Sequence, residues 1–146
     1  WIKENKIPYI AMHMRGNPQT MQSKCKYRNL TREVISELNL SLQELDPEHP
    51  LILDPGFGFS KTMDQNYQLI SQLECFTELN RPFLIGVSRK SMIYKYLNST
   101  PKDSLNGTTV LNTIGVLKGA NILRVHDVKE ALEVVHIVEK LKGGLL

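Results

Sequence analysis

At 146 residues, with 41% apolar and 23% charged side chains, the chain can build one globular domain with a core; it reads as neither disordered nor a membrane protein. No apolar run approaches the ~20 residues needed to span a bilayer, and the start, Trp1-Ile2-Lys3-Glu4-Asn5-Lys6, has no signal-peptide core, which leaves the cytoplasm as the expected compartment. The net charge of +3 is mild: it can draw in a small anion, but no Arg/Lys stripe interleaved with aromatics points to nucleic acid.

In chain order, the first apolar run is Tyr9-Ile10-Ala11-Met12, directly after Pro8. Leu30, Val34, Ile35, Leu38, Leu42 and Leu45 then recur at helical spacing until Asp46-Pro47 stops them. Leu51-Ile52-Leu53 follows Pro50 as a second strand, and Tyr67, Leu69, Ile70, Leu73, Phe76 and Leu79 form a second helical face. Phe83-Leu84-Ile85-Gly86-Val87, after Pro82, reads as a third strand. A short helix is predicted over Ser91–Leu97 and another over about Gly107–Lys118, ending at Gly119. Ile122-Leu123-Arg124-Val125 is the fourth strand. The last helix is predicted to open after Asp127, with Glu130 completing a capping box, to bury Val128, Ala131, Leu132, Val135, Val138 and Leu141, and to end at Gly143-Gly144. Strands that are apolar throughout, alternating with helices, mark a parallel sheet covered by helices. Four such units are half of an eight-unit barrel, so length alone favours an open sheet.

Polar residues gather just after each strand. Asp54-Pro55-Gly56-Phe57-Gly58-Phe59-Ser60-Lys61-Thr62 is either a rigid turn or a site in which a strand-end carboxylate takes the N–H edge of a flat heterocycle while the two phenyl rings wall its face. It lacks the Gly-Lys-Ser/Thr ending of a Walker loop. In Ser88-Arg89-Lys90-Ser91 two adjacent cations must diverge or meet an anion, and Ser91 stands where a helix N-terminus attracts a carboxylate or phosphate; a solvated charge pair is the plainer alternative. In Arg124-Val125-His126, strand alternation sends Arg124 and His126 to one side, which suits a phosphate or diphosphate clamp; an internal salt bridge with His126 capping a loop is the rival. His13, between Met12 and Met14, is a wall residue or a reacting group. His49 and His136 have no companions. Cys25 and Cys75 read as free thiols, and no metal set or nucleophile triad can be assembled.

Four ordered motifs carry a resemblance that covers nearly the whole chain. Met12-His13-Met14-Arg15-Gly16-Asn17-Pro18, Asp54 through Thr62, Gly86-Val87-Ser88-Arg89-Lys90-Ser91 and Arg124-Val125-His126-Asp127-Val128 resemble the loops after strands five, six, seven and eight of the dihydropteroate synthase family. That family is a TIM (β/α)8 barrel, so the resemblance implies an α/β chain, residues 1–146, forming the C-terminal half of a barrel, about strands five to eight with their helices. It implies condensation of 6-hydroxymethyl-7,8-dihydropterin diphosphate with 4-aminobenzoate in folate biosynthesis. Lys90, Arg124 and His126 would be catalytic. Asp54, Lys90, Met12 and Phe59 would bind the pterin; Arg124, Val125 and His126 the diphosphate; Phe59, Lys90 and Ser91 the aminobenzoate. Arg89 would be a structural or charge partner. Mg²⁺ would accompany the diphosphate, held through a residue of the other half and by no ligand of this chain, and the parent would be a cytoplasmic homodimer.

The chain departs from the family in lacking the Asn-x-Thr-Pro-Asp-Ser-Phe loop, the middle-strand aspartate and the Asn-Asp motif. Asp46-Pro47-Glu48-His49-Pro50 stands where a Gly-Ile turn is usual. The isolated chain is therefore expected to be inactive. The alternatives are another pterin-binding barrel, such as a methyltetrahydrofolate-corrinoid methyltransferase, and a non-catalytic fragment. The first has no use for Lys90-Ser91 or Arg124/His126.

Overall fold

In the computed structural model, which describes residues 2–43, 45 and 48–143, strands and helices alternate along the chain. Strand β1 (Tyr9–Met12) runs parallel to β2 (Leu51–Asp54), with Tyr9 opposite Leu51 and Met12 opposite Asp54. Strand β3 (Leu84–Ile85) runs parallel to β4 (Ile122–Leu123), and a parallel bridge between Leu53 and Phe83 joins the two pairs. The four strands thus lie side by side in chain order, all pointing one way. The prolines that precede the strands start this alignment. Pro50 and Pro82 cannot donate to a ladder, but their carbonyls accept from Tyr9 N and Leu53 N at 3.0 and 2.9 Å.

Helix α1 (Leu30–Gln43) buries Leu30, Val34 and Leu38, a stripe at i, i+4 and i+8. The Asp46-Pro47 stop and Gly144 lie outside the described residues. Helix α2 (Met63–Ser71) begins with a full capping box: Thr62 Oγ1 accepts from Gln65 N, and Gln65 Oε1 accepts from Thr62 N. A 3₁₀ segment, Leu73–Leu79, follows. Helices α3 (Ser91–Tyr94), α4 (Leu105–Leu117) and α5 (Val128–Gly143) complete the chain. The core lies between strands and helices, where Val34, Leu53, Leu69, Leu73, Phe76 and Ile85 are wholly buried. Each such side chain contributes about 1.5–3 kcal/mol of apolar burial.

Three expectations are corrected. Regular ladder covers only two residues of the third and fourth runs, because the chain at Val87 already turns, its carbonyl accepting from Lys90 N. The capping box at Asp127 and Glu130 does not form, because both Asp127 carboxylate oxygens accept from Arg89 instead. Helix α5 buries Ala131, Val134 and Val138 against α4, while Val128, Leu132 and Leu141 are at least half exposed. The described residues place nothing over that second apolar face. β1 also keeps an open edge, with Tyr9, Ile10 and Met12 exposed.

The end of β1 is pressed against the turn after β2. Gly56 (φ +72°) lies so close to it that a methyl group there would sit 1.9 Å from the His13 carbonyl oxygen. Gly58 (φ +81°) has no atom nearer than 3.4 Å to such a methyl. Gly58→Ala should therefore lose only the roughly 1–3 kcal/mol of a left-handed alanine. Gly56→Ala adds a backbone clash and should lose about 3 kcal/mol or more. Denaturant titration of both variants checks this, and equal losses would show that the close approach carries no weight.

Candidate active site at the strand ends

Asp54 ends β2, is 5% exposed and turns its Oδ1 back to accept from Gly56 N at 2.8 Å. The turn it opens is buried, so its backbone groups must find side-chain partners. Gly58 N donates to Asn66 Oδ1 at 2.7 Å, and Lys90 Nζ donates to Phe57 O. Phe57 enters the core at 1% exposure, which corrects the expectation of two wall rings. Only Phe59, half-buried, faces the site, with the Lys90 ammonium 4.8 Å above its ring.

Burial pushes the Asp54 carboxyl above its ordinary range, against the pull of the Gly56 amide and the Lys90, Arg124 and Lys61 cations. Burial likewise lowers Lys90 to about 8, with Asp54 opposing and Arg124 adding to it. An acid and an amine that have both lost solvent, without a direct bond to each other, suit a polar ligand placed between them.

The two neighbouring cations diverge as the sequence required. Arg89 (φ +53°) turns away from Lys90 and grips Asp127 through Nε and Nη2 at 2.9 and 2.8 Å; its Nη1 donates to Pro101 O and Lys102 O, both at 2.7 Å. Ser88 Oγ meets His126 Nδ1 at 2.9 Å and accepts from His126 N at 3.2 Å. The Arg124 guanidinium lies over Gly86, its Nη2 2.8 Å from where a methyl there would be. Arg124 and His126 thus lean on Gly86 and Ser88, two residues apart, and share a side. Arg124 is exposed, and its guanidinium has no hydrogen bond or ion pair among the described residues. Ser91 is exposed at the start of a single-turn helix, Met12 is exposed at the tip of β1, and Val125 is half-buried.

Sequence reasoning missed a second, buried group. Lys61, 3% exposed, places Nζ 2.9 Å from His13 Nδ1, and His13 Nε2 lies 3.0 Å from Glu37 Oε2. Arg15 holds Glu37 and Glu33 and covers the Tyr27 ring at 4.0 Å. Lys61 stood in the Asp54–Thr62 motif, and Glu33 and Glu37, one helical turn apart, were the signal of an anionic patch awaiting Arg15. The buried His49 ring ties to Ile7 O at 2.8 Å, and Cys25 and Cys75 are free.

Burial and the Lys61 charge hold His13 at about 4, against 6.5, despite Glu37. Between pH 6.5 and 4 the folded state therefore binds fewer protons than the unfolded chain, so stability rises with pH through that window and is lost as pH falls through it. The loss should total about 3 kcal/mol and should vanish in His13→Gln. Chemical denaturation at several pH values measures it; an unchanged slope in the variant would place its source elsewhere.

Comparison with known proteins now places the chain. Residues 1–126 match the family model for pterin binding enzyme, and the chain belongs to that family. Within it, the chain is similar to the dihydropteroate synthase of Escherichia coli K12, 43% identical over 140 residues that cover 93% of this chain and 50% of that protein. The crystal structure of Yersinia pestis dihydropteroate synthase with a sulfonamide drug complex superposes with a TM-score of 0.92 at 35% identity, covering 97% of this chain and 53% of that one. Thermus thermophilus dihydropteroate synthase, solved in complex with 6HMPPP and with 4-aminobenzoate, superposes with a TM-score of 0.89 at 32% identity, covering 96% of this chain and 57% and 59% of those. The chain spans about half the length of the curated relatives it matches, and its strands and helices are a partial α/β fold of the kind these barrels contain.

Proposed function

We propose that the protein bearing this chain is a dihydropteroate synthase. It condenses 6-hydroxymethyl-7,8-dihydropterin diphosphate with 4-aminobenzoate, releasing diphosphate and forming 7,8-dihydropteroate. In this reading residues 1–146 supply strands five to eight of the barrel. The observation that carries it is the meeting of a buried acid, Asp54, with Lys90 and the unpaired Arg124 at the tips of adjacent parallel strands.

Asp54 takes the amino and ring-nitrogen edge of the pterin, Lys90 its oxo and ring-nitrogen side, and Met12 and Phe59 pack against it. Arg124 and His126, with the Val125 backbone between them, hold the diphosphate. Phe59, Lys90 and Ser91 receive the aminobenzoate, with Ser91 at its carboxylate. Arg89 acts through Asp127, fixing the loop that presents Lys90. Diphosphate leaves from a methylene on an electron-rich ring, and the aminobenzoate nitrogen attacks that carbon. The protein has to align two rings and stabilise a departing anion, and Lys90, Arg124 and His126 do this without a nucleophile. Mg²⁺, when bound, would share the charge of the diphosphate. The diphosphate and a residue beyond this chain would hold it.

An apolar groove of ≈ 640 Å³ between α2, α3 and α4, lined by Tyr67, Ile93, Leu97, Val110 and Ile114, supports a homodimer. No helix among the described residues is long and apolar enough to cross a membrane. The free thiols suit a reducing compartment, and we assign the cytoplasm.

Release of diphosphate that depends on 4-aminobenzoate tests the reading, and methyl transfer in its place would establish the corrinoid methyltransferase alternative. In the active protein, Arg124→Ala should cost roughly 2–5 kcal/mol of kcat/KM for the pterin diphosphate, the worth of a desolvated charge pair. The KM for 4-aminobenzoate should move much less. Near-normal turnover at low pterin diphosphate would remove Arg124 from the diphosphate clamp.

A further inference from the structure

We infer that Lys61 is a positioning residue for the aminobenzoate: it fastens the turn that carries Phe59 to the tip of β1, and so sets the ring against which that substrate packs. The inference rests on the reading above. Lys61 Nζ lies 3.1 Å from Gly56 O, 3.1 Å from Phe59 O and 2.9 Å from His13 Nδ1. An ammonium has three protons and no lone pair, so each of these atoms must accept. His13 Nδ1 is then unprotonated, its proton sits on Nε2, and Glu37 Oε2 accepts it. Arg15 holds Glu37 and covers Tyr27, and Tyr27 OH donates to Ser60 O at 3.0 Å. The circuit closes on the residue beside Lys61.

This circuit acts on Phe59 in particular. Gly56 N, Phe57 O and Gly58 N are tied independently by Asp54, Lys90 and Asn66. Gly56 O also accepts from Phe59 N at 3.1 Å. Phe59 O, by contrast, has Lys61 as its donor, and no other reaches it among the described residues. Removing the ammonium therefore leaves Asp54 in place and takes from Phe59 O its donor, loosening that end of the turn, which keeps Phe59 N on Gly56 O and Tyr27 on Ser60 O. Lys61 also lines a 240 Å³ cavity together with Gly58, Ser91 and Met92. The staple thus stands beside the residue assigned to the aminobenzoate carboxylate, away from the diphosphate clamp on β4.

The test uses the protein bearing this chain, with the KM of each substrate measured where circular dichroism shows every variant folded. Lys61→Met fills the same volume without donors. It should raise the KM for 4-aminobenzoate by about tenfold or more, as expected when a reacting partner loses its alignment. The KM for the pterin diphosphate should stay within about threefold, since Asp54 and Arg124 keep their own supports. His13→Gln, whose amide oxygen can accept the third Lys61 proton, should keep the KM for 4-aminobenzoate within about threefold of wild type. If the wild-type protein makes no dihydropteroate, the functional reading fails. If it does, and folded Lys61→Met is less stable but binds 4-aminobenzoate normally, the role is purely structural and the inference is overturned. Should Lys61→Met not fold, nitrogen-15 NMR of the wild-type protein decides. Nδ1 of His13 must be unprotonated and Nε2 must carry the proton, and the opposite tautomer breaks the clamp and overturns the inference.

Discussion

A buried turn has nowhere to put its backbone polar groups unless side chains come to meet them, and the site of this protein is organised by that constraint. The segment from Asp54 to Lys61 leaves β2 and stays largely buried, yet forms neither strand nor helix. Its amides and carbonyls are met by Asp54 from the strand, Lys61 from the turn's own end, Asn66 from α2 and Lys90 from the loop after β3. Each partner comes from a different element, so the turn takes its shape only when the strands are already in register. The alignment of Met12 with Asp54 sets the distance that Lys61 bridges to His13.

Satisfying that turn puts charge in a place poor in water. Burial lowers Lys61 to about 7, against the attraction of Asp54, while its three protons all have acceptors. The geometry weighs for the charged form, since a neutral amine would have to accept from His13 Nδ1–H, which would leave a bare His13 Nε2 facing the Glu37 carboxylate. His13 can serve as one of those acceptors only while neutral, so its low pKa and the Lys61 charge support each other.

Much of this was legible in the sequence. The prolines before the apolar runs and the 3.6-residue spacing gave the strands and the bodies of α1, α4 and α5, and the polar residues after each strand marked the edge where the site lies. What could not be read was which partner each polar group would choose. Asp127 looked like a cap because Glu130 follows at the right spacing, but Arg89 lies nearer in space than any local rule can report. Phe57 and Phe59 are equivalent in the sequence, yet only the fold sends one into the core. Lys61 carries no mark of its own in the sequence, since a lysine after a turn is usually solvated. The exposed face of α5 misled for the opposite reason: its apolar pattern is real, but periodicity says nothing of whether the covering surface belongs to the same chain.

The cations of the site divide into two kinds, and the carboxylates decide which is which. Arg15 and Arg89 are each held by carboxylates, Glu33 with Glu37 and Asp127, and both also donate to backbone carbonyls. Such partly exposed pairs contribute little stability one at a time, ~0–1 kcal/mol, but with two-pronged geometry they fix a loop's direction. Among the described residues Lys90 and Arg124 have no such partner: Asp54, the acid nearest them in effect, turns an oxygen to Gly56. A cation that keeps part of its charge unanswered at a strand tip gains most from an incoming anion, and for Lys90 part of the desolvation has already been met in folding. Arg89 and Lys90 are adjacent in sequence and opposite in use. One ties the loop to α5, so that the other can be aimed.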